Sequence, residues 1–338
     1  MFRKILIGSA VLFALAAATA AGCHHLLFRA DAVVRPGSLR IPSGAPYPTI
    51  AADSLAPRIR YDRAFGAYAR HIGLEHSLRP GHYVLEPGMS VVQIARMLKL
   101  GLQTPVRVTF NNVRTPAQLA GKLARQIEAD STTILRTLTD ADIARQVGFD
   151  SATLFSMFIP DTYECYWTIT PEQFVERMRR EYDRFWTPER DEARKRSGLT
   201  RTEAITLASI VCEETRRSDE MPRIAGVYIN RLRKGWPLQA DPTVKYALQD
   251  FGLRRILHKH LKYPSPYNTY INKGLPPSPI CLPDRNAIDA VLNFEEHDYM
   301  FFCARPTFDG YHDFARTLSR HNANARAYAS ELNRRKIK

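Results

Sequence analysis

TRTEAITLASIVCEETRRSDEMPRIAGVYINRLRKGWPLQADPTVKY, from Thr200 to Tyr246, is the stretch on which the reading of this chain turns. Thr200 and Glu203 stand in the S/T-x-x-E relation, in which each side chain satisfies an orphan N–H at a helix start. Ala204, Leu207, Ala208 and Val211 then recur at i, i+3, i+4 and i+7, the spacing of one buried helical face. At about 100° per residue, Glu213 falls opposite that stripe, where it is expected to be solvated and ionised. Glu214 falls on the flank of the stripe, close to the line of Leu207. Partial desolvation there disfavours the carboxylate and raises its pKa toward the range of a proton donor near neutral pH. Spacing alone leaves open a plain helix-end glutamate paired with Arg216, Arg217 or Arg223.

The segments that follow narrow the choice. ASIVCEET (Ala208 to Thr215), IAGVYINRLRKGWPLQADPTVKY (Ile224 to Tyr246), PYNTY (Pro266 to Tyr270), GLPPSPI (Gly274 to Ile280) and GYHDF (Gly310 to Phe314), then His321 and Asn322, form an ordered series. From about Leu78 to the C-terminus the chain resembles the endolytic murein transglycosylases of the MltG or YceG-like family. RL-x-x-G-x-x-LQ-x-DPTV and YNTY are far more specific than any lone short motif. In that family the catalytic glutamate is the second acid of an A-S-I-x-E-K-E-T segment, which the resemblance places at Glu214. The chain departs from the family beside it: Cys212 stands where the first glutamate is usual, and Glu213 where the lysine is. A thiol supplies none of a carboxylate's acceptor capacity. Ser278 replaces a usual glycine, which matters if that turn needs φ > 0.

The resemblance implies cleavage of the MurNAc–GlcNAc β-1,4 bond without water. Glu214 protonates the glycosidic oxygen, then as carboxylate takes the proton of the muramoyl C6 hydroxyl, which closes a 1,6-anhydro ring. Because the nucleophile is intramolecular, a second carboxylate is not required. Gln239, Asp241, Thr243 and Tyr246, with Tyr267, Asn268 and Tyr270, are the candidates for lining a glycan groove, Asn268 foremost. Each also has a structural reading: Asp241-Pro242 is a helix-start signal, and tyrosines in a Pro-rich loop often only pack. His312, His321 and Asn322 are family marks without an assigned role. Two other functions remain: a hydrolytic glycosidase with Asp241 or Glu213 as second carboxylate, and a peptidoglycan-binding scaffold without catalysis.

Composition fits an exported protein. The chain has 338 residues and a net charge of +14, spread along its length without a zinc-finger, RRM-like or basic-arm pattern, which argues against nucleic acid. Anionic lipid headgroups and the peptide carboxylates of the wall suit such a surface. Arg3 and Lys4 precede an apolar run from Ile5 to Ala21, extended by Leu26, Leu27 and Phe28. This reads as a single-pass membrane anchor with its basic end in the cytoplasm, in preference to a cleaved or lipidated leader ending near Gly22-Cys23. The resemblance then places the catalytic domain on the extracytoplasmic side of the inner membrane, beside peptidoglycan synthases. Cys23, Cys165, Cys212, Cys281 and Cys303 have no metal-ligand spacing. No metal and no cofactor are indicated.

The expected architecture is α+β behind the membrane helix: anchor 1–28, Pro-rich extended connector 29–60, a small LysM-like subdomain 61–104, and a larger mixed α+β catalytic domain 105–338. Helical patterns cover Ala64 to Ile72, Ser90 to Lys99, Pro116 to Glu128, Pro171 to Trp186, Arg285 to Phe294 and His321 to Lys336. Strands are expected at His82 to Leu85, Val106 to Phe110 and Tyr299 to Ala304. FIPDTYECYW, Phe158 to Trp167, matches a family F-x-P-D-T-Y pattern and reads as a rigid turn beside the groove.

Overall fold

The computed structural model describes residues 2–253 and 255–335, so Met1 of the expected anchor and Lys336 of the expected last helix lie outside the described residues. The chain divides into two units. One comprises residues 1–108, 125–129 and 163–169, the other residues 109–124, 130–162 and 170–338. The expected boundary at 104/105 is close to the first crossing, but two later segments return to the first unit, which local patterning does not reveal.

The first unit opens on α1, Phe2–Phe28. Residues Ile7–Phe28 are long and apolar enough to cross a bilayer, and 22 residues rise about 33 Å against a hydrocarbon core of about 30 Å. Val11, Leu12, Phe13 and Leu15 are exposed, as lipid-facing side chains of a candidate anchor would be. Residues 29–60 are not an extended connector. Strand β1, Gly37–Ile41, pairs antiparallel with β2, Gly81–Leu85, setting Leu39 opposite Tyr83, and short helical turns cover residues 47–58. Leu39, Ile41, Ile50, Leu55 and Ile59 are buried in the same core as Phe65 of α2, Asp62–His71, and Ile94 and Leu98 of α3, Val91–Leu100. Two of the prolines that suggested an open linker, Pro48 and Pro57, sit in the first turns of short helices, where a missing N–H costs nothing. Helix α3 is capped by the reciprocal Ser90–Gln93 box. The helix–strand–helix order of 61–104 agrees with the sequence reading.

Strands β3, Val106–Phe110, and β4, Asp161–Cys165, pair with each other. The expected turn over 158–167 is therefore a strand over its middle five residues, Asp161–Cys165. The second unit is mainly helical: α4 Pro116–Leu123, α5 Ser131–Thr139, α6 Ala141–Gln146, α7 Pro171–Phe185, α8 Pro188–Ser197, α9 Arg201–Glu214, α10 Met221–Arg233, α11 Asp241–Leu248, α12 Arg285–Leu292, and α13 Leu318–Arg334. A hairpin of β5, Phe301–Ala304, and β6, His312–Ala315, pairs Phe302 with Phe314. Helix α4 stops short of the expected Glu128, and the other helix ends agree within a few residues.

Helix α9 carries the Thr200–Glu203 capping box, and every residue from Ala204 to Val211 is buried. It is thus not an amphipathic surface helix with one apolar stripe but the centre of the unit, packed on α10, α11 and α12. Ser209 shows why: its hydroxyl donates to Thr206 O and accepts from the N–H of Ile280, docking the 274–281 loop on the helix. Helix α10 is laced to the approach of β5. Asn230 Nδ2 donates to the carbonyls of His297 and Tyr299, and Arg231 Nε to that of Met300. Gly226 permits this closeness, since a Cβ there would lie 2.3 Å from the carbonyl of Glu295.

Candidate active site

Glu214 is the last residue of α9. Its backbone is held by the buried helix and its side chain, half-buried, opens into a cavity of about 440 Å³. Tyr228, almost wholly buried on α10, donates a 2.6 Å hydrogen bond to Oε1. Burial pushes the carboxyl from 4.5 to about 7, and the nearby Asp241 charge adds to the rise; the Tyr228 bond and the His312 and Arg231 charges oppose it. Near neutral pH the group is poised between acid and base, the state that general catalysis favours. Arg231 is buried against Met300 O and Leu238 O, and desolvation pulls its guanidinium down.

Gln239, Asp241 and Tyr270 line the same cavity as Glu214. Tyr270 donates a 2.6 Å bond to Asp241 Oδ1, and burial together with that bond raises the pKa of its phenol. Gln239 is a non-glycine residue at φ +50°, a conformation seen more often at sites than elsewhere. The other four candidates do not reach the cavity wall. Thr243 is fully buried and bonded to Ala240 O and Thr269 Oγ1. Asn268 is fully buried, its amide donating to Leu261 O and Tyr263 O while Oδ1 accepts from Tyr270 N. It shapes the loop that presents Tyr270 and has no group left for a sugar. Tyr246 packs on Tyr267 at 4.7 Å, and the Tyr267 hydroxyl pairs with Ser278 Oγ at 2.6 Å. Ser278 is absent from the positive-φ residues, so this turn does not need the family's glycine.

Glu213 is not the free solvent-facing neighbour expected. Both its oxygens accept from Arg114 Nη2, at 2.9 and 3.0 Å, and it borders a separate cavity of about 90 Å³. That removes it as a second carboxylate beside Glu214. Cys212 Sγ lies 3.2 Å from Cys281 Sγ in the contact between α9 and the 274–281 loop.

Residues 39–327 match the YceG-like family. The chain belongs to that family. It is 29% identical over 315 residues to an endolytic murein transglycosylase of Bacillus subtilis (strain 168), covering 88% of this chain and 86% of that one. It is 26% identical over 308 residues to one of Streptococcus pneumoniae (strain D39), covering 81% of this chain and 55% of the pneumococcal protein. The crystal structure of a YceG-like protein from Listeria monocytogenes superposes with a TM-score of 0.58 at 28% identity, over 85% of this chain and 98% of that one.

The YceG-like motifs divide by role. ASI and PPSPI hold α9 to its loop. Tyr228 and Arg231 in the α10 motif, though not singled out from sequence, reach the acid's cavity. The late GYHDF and HN marks bring His312, His321 and Asn322 to the same wall. His312 is fixed by Glu220, which is buried at the start of α10: the carboxylate accepts from His312 N at 2.9 Å and lies 2.7 Å from Nδ1. His321 stacks on Phe301 at 5.2 Å, burial lowers its pKa, and its buried Nδ1 has no partner among the described residues. A second cavity, of about 370 Å³, shares Glu214, Ala304 and His312 with the first.

Proposed function

We propose that this chain is a membrane-anchored peptidoglycan lytic transglycosylase that cleaves the MurNAc–GlcNAc β-1,4 bond to leave 1,6-anhydro-MurNAc ends. The observation that carries the mechanism is the carboxyl of Glu214, raised to a pKa of about 7 where it opens into the cavity. Protonated Glu214 delivers its proton to the glycosidic oxygen as the C1–O bond lengthens. The carboxylate so formed takes the proton of the muramoyl C6 hydroxyl as that oxygen bonds to C1. Acid and carboxylate forms are both accessible near pH 7, as one group acting twice requires. Gln239, Asp241 and Tyr270 are the proposed groups that orient the sugars, and Thr243, Tyr246, Tyr267 and Asn268 would act by holding them. Two cavities that share Glu214 suit a strand that continues past the scissile bond, which favours endolytic over terminal cleavage.

Helix α1 is the candidate anchor, and with Arg3 and Lys4 at its cytoplasmic end the catalytic unit would face the extracytoplasmic side of the inner membrane. A role in terminating glycan strand elongation beside peptidoglycan synthases, and glycan binding by a LysM-like part of the first unit, extend the same reading. The test is mass spectrometry of digested glycan: anhydro-muramoyl ends, lighter by one water than reducing ends, are expected from wild type and not from Glu214→Gln. Reducing ends alone would replace this mechanism with hydrolysis through Asp241, the other carboxylate in the cavity. An unchanged cellular role for Glu214→Gln would favour the scaffold.

A further inference from the structure

The two cavities that meet at Glu214 differ in charge. The larger sets one guanidinium, the buried Arg231, against Asp241 and Glu214, with the amides of Gln239 and Asn322 and the His321 ring beside them. The smaller is walled by Arg216, Arg217 and Arg305, with Tyr311, Phe308 and Tyr328 as aromatic surfaces, and Glu214 is its sole acid. Three guanidinium groups thus face a carboxyl that is largely neutral below pH 7. Acids do stand nearby, but outside that wall. Asp219 accepts from the Tyr311 hydroxyl, Asp309 from the Tyr311 N–H, and Asp313 pairs with Arg305 at 3.4 Å.

The arginines are also held in place. Arg217 lies over the Tyr311 ring at 4.6 Å and donates to Asp309 O, and Arg305 lies 5.5 Å from the same ring and donates to His312 O. Stacking and carbonyl bonds leave the charge of Arg217 without an ion pair among the described residues. Arg216 is exposed and has no ion pair or hydrogen bond among the described residues. A glycan backbone of N-acetylglucosamine carries no anion that would use such a wall. The muramoyl residue does, since its lactyl group bears a peptide stem with free carboxylates, or its own ring-borne carboxylate once an amidase has removed the stem, and a planar guanidinium matches a carboxylate with two parallel hydrogen bonds.

We propose that the smaller cavity is the subsite for the carboxylate-bearing peptide stem of a muramoyl residue beside the scissile bond, with Arg216 and Arg217 as its binding groups. This rests on the peptidoglycan reading above and adds to it a preference: strands bearing stems are better substrates than the same strands stripped of them by an amidase.

The test compares kcat/KM on stem-bearing and amidase-stripped glycan for wild type, Arg216→Glu and Arg217→Gln. Wild type is expected to favour the stem-bearing strand, and the ratio of the two rates to fall about tenfold in each variant, one charge-assisted contact being worth roughly that much. Arg216→Glu guards against misfolding, because the native side chain is exposed and makes no hydrogen bond or ion pair among the described residues. A ratio that stays constant, whether both rates hold or both collapse, overturns the subsite, as does a wild-type preference for stripped glycan. Binding of both glycans to Glu214→Gln, by calorimetry, separates the two readings. If wild type yields no anhydro ends the mechanism fails, yet tighter binding of stem-bearing glycan, weakened by adding Arg216→Glu, still sustains the subsite. Equal binding of the two glycans sinks it.

Discussion

The phenol of Tyr228 and the carboxyl of Glu214 are joined by a 2.6 Å hydrogen bond across two packed helices, the tyrosine donating. A donor at that distance stabilises the carboxylate more than the acid. Tyr228→Phe removes it and should move the pKa of Glu214 further up from about 7. In a pH profile of kcat/KM, activity is expected to decline above about pH 7 in wild type as the proton donor is lost. In Tyr228→Phe the decline should begin at higher pH, with a lower plateau. An alkaline limb that does not move would show that the titrating group is not Glu214.

Glu214→Gln should separate activity from stability. The raised pKa means that the folded chain holds a proton more tightly than the unfolded chain between pH 4.5 and about 7. The stabilisation this gives is fully present below pH 4.5 and is lost as pH rises through about 7, to the extent of about 3 kcal/mol. Glutamine is neutral at every pH and escapes that loss. The variant is expected to lose at least 10²-fold in rate, yet to melt above wild type at pH 8 and near it at pH 5. Calorimetric melts at the two pH values check this, and a variant less stable at pH 8 would argue against a desolvated acid.

Glu213→Gln is the counterpart. Its carboxylate is engaged by Arg114 outside the acid's cavity, so activity should stay within a few-fold of wild type. With side chains 30% and 23% exposed, the pair is screened, and a double-mutant cycle with Arg114→Ala should give a coupling of about 0.5–1 kcal/mol. Loss of activity comparable to that of Glu214→Gln would restore Glu213 as a catalytic candidate.

What the sequence made legible was local. The Thr200–Glu203 cap follows from spacing within one helix, and the reading that set Glu214 apart from Glu213 rested on spacing there together with a motif series running from Ala208 to Asn322. Tyr228, Arg231 and the wall formed by β5 and β6 were not, because residues up to about a hundred positions apart meet there only after α10 packs on α9. Asn268 misled for a physical reason: a polar residue in a Pro-rich loop looks available, yet both ends of its amide are satisfied by backbone. The 29–60 segment misled likewise, since prolines were read as breaks although two of them begin helical turns. Leu39 and Ile41, alternating across Arg40, were the overlooked sign of a half-buried strand.

Gly226→Ala tests the junction that carries β5. The added methyl would meet Glu295 O at 2.3 Å and His297 Nε2 at 2.8 Å, and His297 is itself bonded to Arg223 O. Neither neighbour is the free end of a flexible side chain, so the 295–300 segment must move. A destabilisation of about 1–3 kcal/mol is expected, together with reduced activity, because Phe301 and Phe302 of the cavity wall follow directly. An unchanged melting temperature would mean that the approach is looser than described.

Cys212→Glu restores the acid usual in the family and is nonetheless expected to harm this chain. Cys212 Sγ lies 3.2 Å from the buried Cys281 thiol and 3.4 Å from Ser209 O. A carboxylate there would confront a carbonyl and a thiol, and the Cys212 contact together with burial already pushes the Cys281 thiol up. Arg114 is already engaged by Glu213 through Nη2, so a second carboxylate would have to share that one charge. A loss of about 1–3 kcal/mol is expected, the cost of a buried polar group without its partner, whereas Cys212→Ser, which keeps the size and the donor, should cost less. Denaturant melts of the two variants decide it. If Cys212→Glu is the more stable, the position still accommodates the family's carboxylate, and the cysteine is a replacement to which its surroundings have not adapted.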